Sequence, residues 1–96
     1  MSTKEFALDV INAVKHPAID YSLVELGMVK DVEINDDTVK LVFVFPFPNI
    51  PIADALISSI ANPLKNIGFS LEHKVITMTE EEKAKFLKME HEAWKG

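Results

Sequence analysis

Three histidines, fifteen carboxylates and no cysteine set the chemistry open to this chain. Without cysteine there is no thiolate nucleophile, no disulfide and no cysteine ligand for iron or zinc within these 96 residues. His16, His73 and His91 are widely separated, and no H-x-x-x-H or H-E-x-x-H spacing gathers two of them on one helix face. No metal site and no resident cofactor is expected. Glu80, Glu81 and Glu82 read as charges at a helix start, and Asp20 and Glu25 as local caps. No Ser-His-Asp arrangement, glycine-rich phosphate loop or pair of catalytic acids can be argued, so a non-enzymatic role is expected.

What stands out instead is a loop. Val39, Leu41, Phe43 and Phe45 alternate on one face of a strand, with Val42 and Val44 on the other. Apolar residues on both faces mark a central strand. Pro46 ends it, because proline cannot donate to a sheet ladder. Pro46, Pro48 and Pro51 then stiffen the connection. Asn49 reads as the N-cap of the helix that follows, with Pro51 in its first turn and Asp54 at the positive end of its dipole. Two readings of this loop stand side by side. In one, Phe47 and Ile50 are packed and the loop only connects. In the other, Phe47, Pro48, Asn49 and Ile50 are presented to a partner protein, beside Asp54, on a backbone that loses little entropy on binding. No basic residue lies near the loop in sequence to favour an anion.

The elements that must hold the loop can be read in order. Ser2-Thr3-Lys4-Glu5 is a capping box, and Phe6, Ala7, Val10, Ile11 and Val14 recur at helical spacing up to about Lys15-His16. Pro17 stops that helix, and His16 would sit at its C-terminus, where a protonated imidazole suits the dipole. Ala18 to Gly27 looks irregular, with Ser22 and Glu25 capping a short turn and Gly27 suited to positive φ. Val29 to Ile34 alternates weakly, with Val32 and Ile34 inward. Asn35-Asp36-Asp37-Thr38 is turn chemistry and makes a hairpin with the central strand. The second helix is expected from about Ile50 to Ile67, burying Ile52, Leu56, Ile60, Leu64 and Ile67, with Pro63 either kinking or ending it. Phe69 to Met78 reads as a third strand. Thr79-Glu80-Glu81-Glu82 is a second capping box, and the last helix runs to about Trp94 with Phe86, Leu87, Ala93 and Trp94 on one side. The order α-β-β-α-β-α implies an α+β two-layer sandwich: a three-stranded mixed sheet, third strand parallel to the second, with helices packed on it. The last helix, or a second copy of the chain, must cover Val42 and Val44. Trp94 near the end of that helix fits either packing onto the sheet or clasping a homodimer.

Residues 1–96 read as one domain, with 79–96 an appended helix. The net charge of −5 argues against nucleic acid. No apolar run reaches the ~20 residues that span a bilayer. The N-terminus lacks the basic and apolar regions of a signal peptide, so a cytoplasmic location is expected.

Ile19 to Ile34, above all Val24-Glu25-Leu26-Gly27-Met28-Val29, resembles the small iron–sulfur assembly domain of SufT- and PaaD-like proteins. That domain also opens Mrp/ApbC-type cluster-carrier ATPases. The hairpin and the segment Pro51-Ile52-Ala53-Asp54-Ala55-Leu56 are similar too, so the resemblance covers about Phe6 to Ile76. It implies an α+β fold and a role in maturing iron–sulfur proteins, with assembly or client proteins as partners. Where the family often carries D-P-E, this chain has His16-Pro17-Ala18. Where the family often carries a threonine and, after it, a Cys-Pro pair, Phe47 and Ile50-Pro51 stand here. A charged helix replaces the tryptophan- and proline-rich tail of many relatives. The resemblance thus makes His16 a candidate beside the loop, and it places large apolar residues where relatives keep a threonine and a reactive cysteine. The expected function is a non-catalytic accessory or scaffold protein acting by protein contacts. The alternatives are a dimeric interaction module without an iron–sulfur role, and a small-ligand or metal-binding protein using the loop.

Overall fold

The computed structural model describes residues 3–48 and 50–94. The elements run α1 (Thr3–Ala13), β1 (Val29–Asn35), β2 (Thr38–Phe45), α2 (Ala53–Asn66), β3 (Ser70–Thr77) and α3 (Glu80–Ala93). The sheet has the order β1-β2-β3, antiparallel between β1 and β2 and parallel between β2 and β3. This is the α+β arrangement and the strand direction that the element order implies.

β2 is central because it alone is apolar on both faces. Its residues Val39, Leu41, Phe43 and Phe45 are buried, together with Ala7 and Ile11 of α1 and Leu56, Ile60 and Leu64 of α2. Each of these side chains larger than alanine contributes roughly 1.5–3 kcal/mol when fully buried. The opposite face carries Lys30, Glu33, Lys40, Glu72 and Lys74, all exposed, so most of it meets water. Val44 at its far end is fully buried and Val42 half-buried. α3 supplies Phe86, Met89 and Ala93 to the same core.

Two local features carry the hairpin. The turn at Asp36-Asp37 is tight, with Thr38 paired to Asn35 and Asp36 at φ 52. Asp tolerates this left-handed conformation better than most residues. A bulge falls between Lys30 and Glu33, with Asp31 at φ 53. It explains the weak alternation of β1, since the extra residue resets which residues face inward.

Other boundaries differ from the sequence reading. α1 stops at Ala13, short of His16. The following chain folds back on itself instead: Leu23 N–H donates to the Val14 carbonyl (3.0 Å), and His16 N–H to the Tyr21 carbonyl (3.1 Å). α2 starts at Ala53, not Ile50, because Ala53 N–H first closes a turn onto the Ile50 carbonyl (3.2 Å). Pro51 therefore lies before the helix rather than in its first turn. Ile52 and Ile67 flank the helix and are exposed, so its buried stripe is Leu56, Ile60 and Leu64. Pro63 is accommodated inside a continuous helix. In α3 the inward residues are Phe86, Met89 and Ala93, while Leu87 and Trp94 face out. The cap expected from Ser2 falls outside the described residues, as does Asn49 itself, but the N-cap position of α2 is Ile52, without a side-chain cap, and not Asn49.

Candidate functional site

The loop after β2 is built as a ramp out of the core. Phe45 and Pro46 are buried, whereas Phe47 and Pro48 are exposed, Phe47 to 48%. The strand ends where a donor is missing, and the next residues leave the sheet plane. Ile50 returns inward, half-buried against the core, before the turn into α2. Asp54 is exposed in the first turn of α2, where its charge suits the helix dipole. Asn49 lies outside the described residues. The loop thus splits into an outward part, Phe47-Pro48, and a seated part, Ile50.

A neighbour invisible in the sequence completes this surface. Lys83, in the first turn of α3, lies with its Nζ 5.0 Å from the centroid of the Phe47 ring. The same ammonium is 3.8 Å from Glu80. A cation over a ring face is an attractive contact, and it holds the aromatic while leaving its other side to solvent. No local signal links residues 47 and 83. The contact exists because β3 runs parallel to β2 and delivers α3 to the end of the sheet where the loop emerges: Met78 N–H donates to the Phe45 carbonyl (2.8 Å). That end also exposes Ile52, Val75 and Ile76.

Two carboxylates near the loops have defined tasks. In α3, Thr79 Oγ1 accepts from Glu82 N–H (3.2 Å) and Glu82 Oε1 accepts from Thr79 N–H (2.9 Å). Ser22 and Glu25 repeat the exchange, at 3.0 and 2.9 Å. These hydrogen bonds hold both Glu82 and Glu25 below the ordinary glutamate value of 4.5, the Thr79 and Ser22 backbone N–H groups being the largest cause. Asp20 is not a cap; it pairs with Lys15 at 3.1 Å.

His16 is placed differently from its sequence reading. It is buried in the turn after α1, and its Nδ1 accepts from the Ala18 N–H at 3.0 Å. This hydrogen bond ties the imidazole into the turn, three residues beyond the end of α1 at Ala13 and not at the helix C-terminus. His73 stands edge-on to Phe43, with centroids 5.5 Å apart. Among the described residues no group of three histidine, aspartate or glutamate side chains is arranged to hold a metal. A groove of about 650 Å³ crosses the open face of the sheet, lined among others by Glu33, Lys40, Glu72 and Lys74. Its walls mix both charges, the composition of a solvated face rather than an apolar binding pocket.

The family described as iron–sulfur cluster assembly protein matches residues 4–83. The iron–sulfur cluster carrier protein of Synechocystis sp. is 30% identical over 86 residues, which cover 88% of this chain and 24% of that protein. The chain thus spans about a quarter of the length of that relative.

Proposed function

The chain belongs to the iron–sulfur cluster assembly protein family, and from that premise we propose that it serves the maturation of iron–sulfur proteins by contact rather than by catalysis. The cluster is cargo of the pathway. A chain without cysteine has no thiolate to hold it, so the residues present do not fit a thiolate-bound cluster. The observation that carries the reading is the loop. Phe47 and Pro48 stand exposed between a buried Pro46 and a seated Ile50, and Lys83 steadies the ring. An aromatic held ready in this way loses little entropy when a partner covers it. The partners that this role calls for are cluster-loading or client proteins.

Deletion of the gene in the source organism tests the pathway. Iron–sulfur enzyme activities should fall while the levels of their polypeptides stay constant. Complementation tests the surface. Phe47→Glu, folded and expressed, should fail to restore those activities, whereas Leu87→Glu on the outer face of α3 should restore them. Unchanged iron–sulfur enzymes in the deletion strain would remove the pathway assignment. Full rescue by Phe47→Glu would remove the loop from it.

A further inference from the structure

β3 is an edge strand. It pairs with β2 over its whole length and, among the described residues, has no strand on its other side. Ser70 N–H donates to the Asp37 carbonyl and Met78 N–H to the Phe45 carbonyl, both at 2.8 Å. Even-numbered residues therefore turn their backbone groups toward β2. The N–H and C=O groups of Leu71, His73, Val75 and Thr77 point to the open edge. On this edge Val75 is 51% exposed, although its neighbour Phe43 across the ladder is fully buried.

We propose that this edge pairs antiparallel with the β3 edge of a second copy, about a two-fold axis through His73. Three requirements select that register. Outward-pointing residues must meet outward-pointing residues. The helix-covered faces of both copies must lie on the same side. Opposite charges must face each other. Centring the axis on Glu72 or on Lys74 sets like charges against each other, and centring it on Val75 leaves Lys74 opposite Ile76. Centring on His73 sets Glu72 opposite Lys74 twice, and Val75 opposite Leu71 twice.

The pairing also continues patterns that already exist within one copy. On the open face Glu33 pairs with Lys40 and Lys40 with Glu72, so the second copy's Lys74 extends a row of alternating charge. Lys40 and Glu72 are already 3.9 Å apart. On the covered face Val29 pairs with Phe43 and Phe43 with Val75. The second copy's Leu71 and Val39 then extend an apolar row. A lysine on an edge strand ordinarily discourages pairing. Here a glutamate at the matching position neutralises it, which makes the edge selective for itself although the chain carries a net charge of −5. The contact is small, so the dimer is expected to be reversible and concentration-dependent.

Sedimentation equilibrium on the purified chain and its charge reversals tests this. The wild type should dimerise. Glu72→Lys and Lys74→Glu should each raise the dimer Kd by at least about tenfold, because the two-fold counts each pair twice. The double reversal should dimerise again, and so should a mixture of the two single variants, as a heterodimer. Val75→Pro removes a donor from the open edge only, and should give a monomer with intact circular dichroism. A wild type still monomeric at about 1 mM, dimers unaffected by the single reversals, or no rescue in the mixture would each overturn the proposal. Capture of an extended peptide by a monomeric wild type would assign the edge to a foreign strand instead and overturn it as well.

Discussion

His16 and Phe47 are both bulky rings near the surface, and burial separates what they do. His16 sits in its turn as an acceptor for the Ala18 N–H. His16→Phe keeps an aromatic ring and removes the acceptor, so it should destabilise the protein by about 1–3 kcal/mol in urea titrations. Phe47 is 48% exposed, so Phe47→Ala should cost only about 1 kcal/mol. The fully buried Phe43→Ala should cost about 3–5 kcal/mol. Melting curves of the pair distinguish the surface residue from the core residue. Ile50→Asp should fall between them, since Ile50 packs half-buried against the core. At this scale the sequence showed that Phe47 and Ile50 share a stiff loop. It did not show which one points out, because the turn closing Ala53 onto Ile50 sets that, and Pro51, which suits that turn, suits the first turn of a helix starting at Ile50 equally well. Glu25 and Glu82 titrate below the ordinary glutamate value because they accept backbone N–H bonds. A depressed carboxylate contributes stability above its unfolded pKa and loses it as pH falls through the folded value. The melting temperature should therefore hold at neutral pH and decline in the acid range below 4.5, and Glu82→Gln should flatten that decline.

At the scale of elements, period and capping did most of the work. β2 was legible from its alternation and α3 from its Thr79–Glu82 box, and both stand where those signals put them. The ends of α2 were less legible. Ile52 and Ile67 continue the helical period in sequence, but the backbone leaves the helix before reaching either, and both are exposed. The same lesson holds for α3, where Leu87 and Trp94 look equivalent to Phe86 until the helix is docked. Once docked, Phe86 is buried and Leu87 is not. Phe86→Ala should cost about 3–5 kcal/mol and Leu87→Ala well under half of that, by thermal melts. Truncation before Thr79 removes Phe86 from the core and should expose apolar surface, measurable as new binding of a hydrophobic dye.

Across the whole molecule, the sheet is a gradient of protection. β2 is hydrogen-bonded on both sides, β1 and β3 on one. In dilute solution, amide exchange should be slowest in β2 and should alternate along β3. Glu72, Lys74 and Ile76 should be protected, and Leu71, His73 and Val75 fast. Helix placement follows from the same topology. The parallel β2–β3 pair puts the end of β3 beside the proline loop and so brings Lys83 to Phe47. Such long-range meetings leave no local trace in a sequence. They depend on strand direction, which the element order implied here, and on the angle at which α3 leaves β3, which nothing in Met78-Thr79 specifies.

The bulge in β1 means that this strand is spelled with one residue more than its pairing uses. Val29 and Ile34 are five positions apart, a spacing that in a regular strand would put them on opposite faces. Both nonetheless lie opposite core-facing residues of β2, Phe43 and Val39. Shortening the chain at different points should therefore have very different results. Removing Asp31 leaves every pairing intact and takes away a left-handed residue, so that deletion should fold. Removing Val32 instead forces an aspartate opposite Leu41 in the core, so it should not. In family members whose first strand is regular, the alignment gap should fall at Asp31 itself, a length difference that changes no contact.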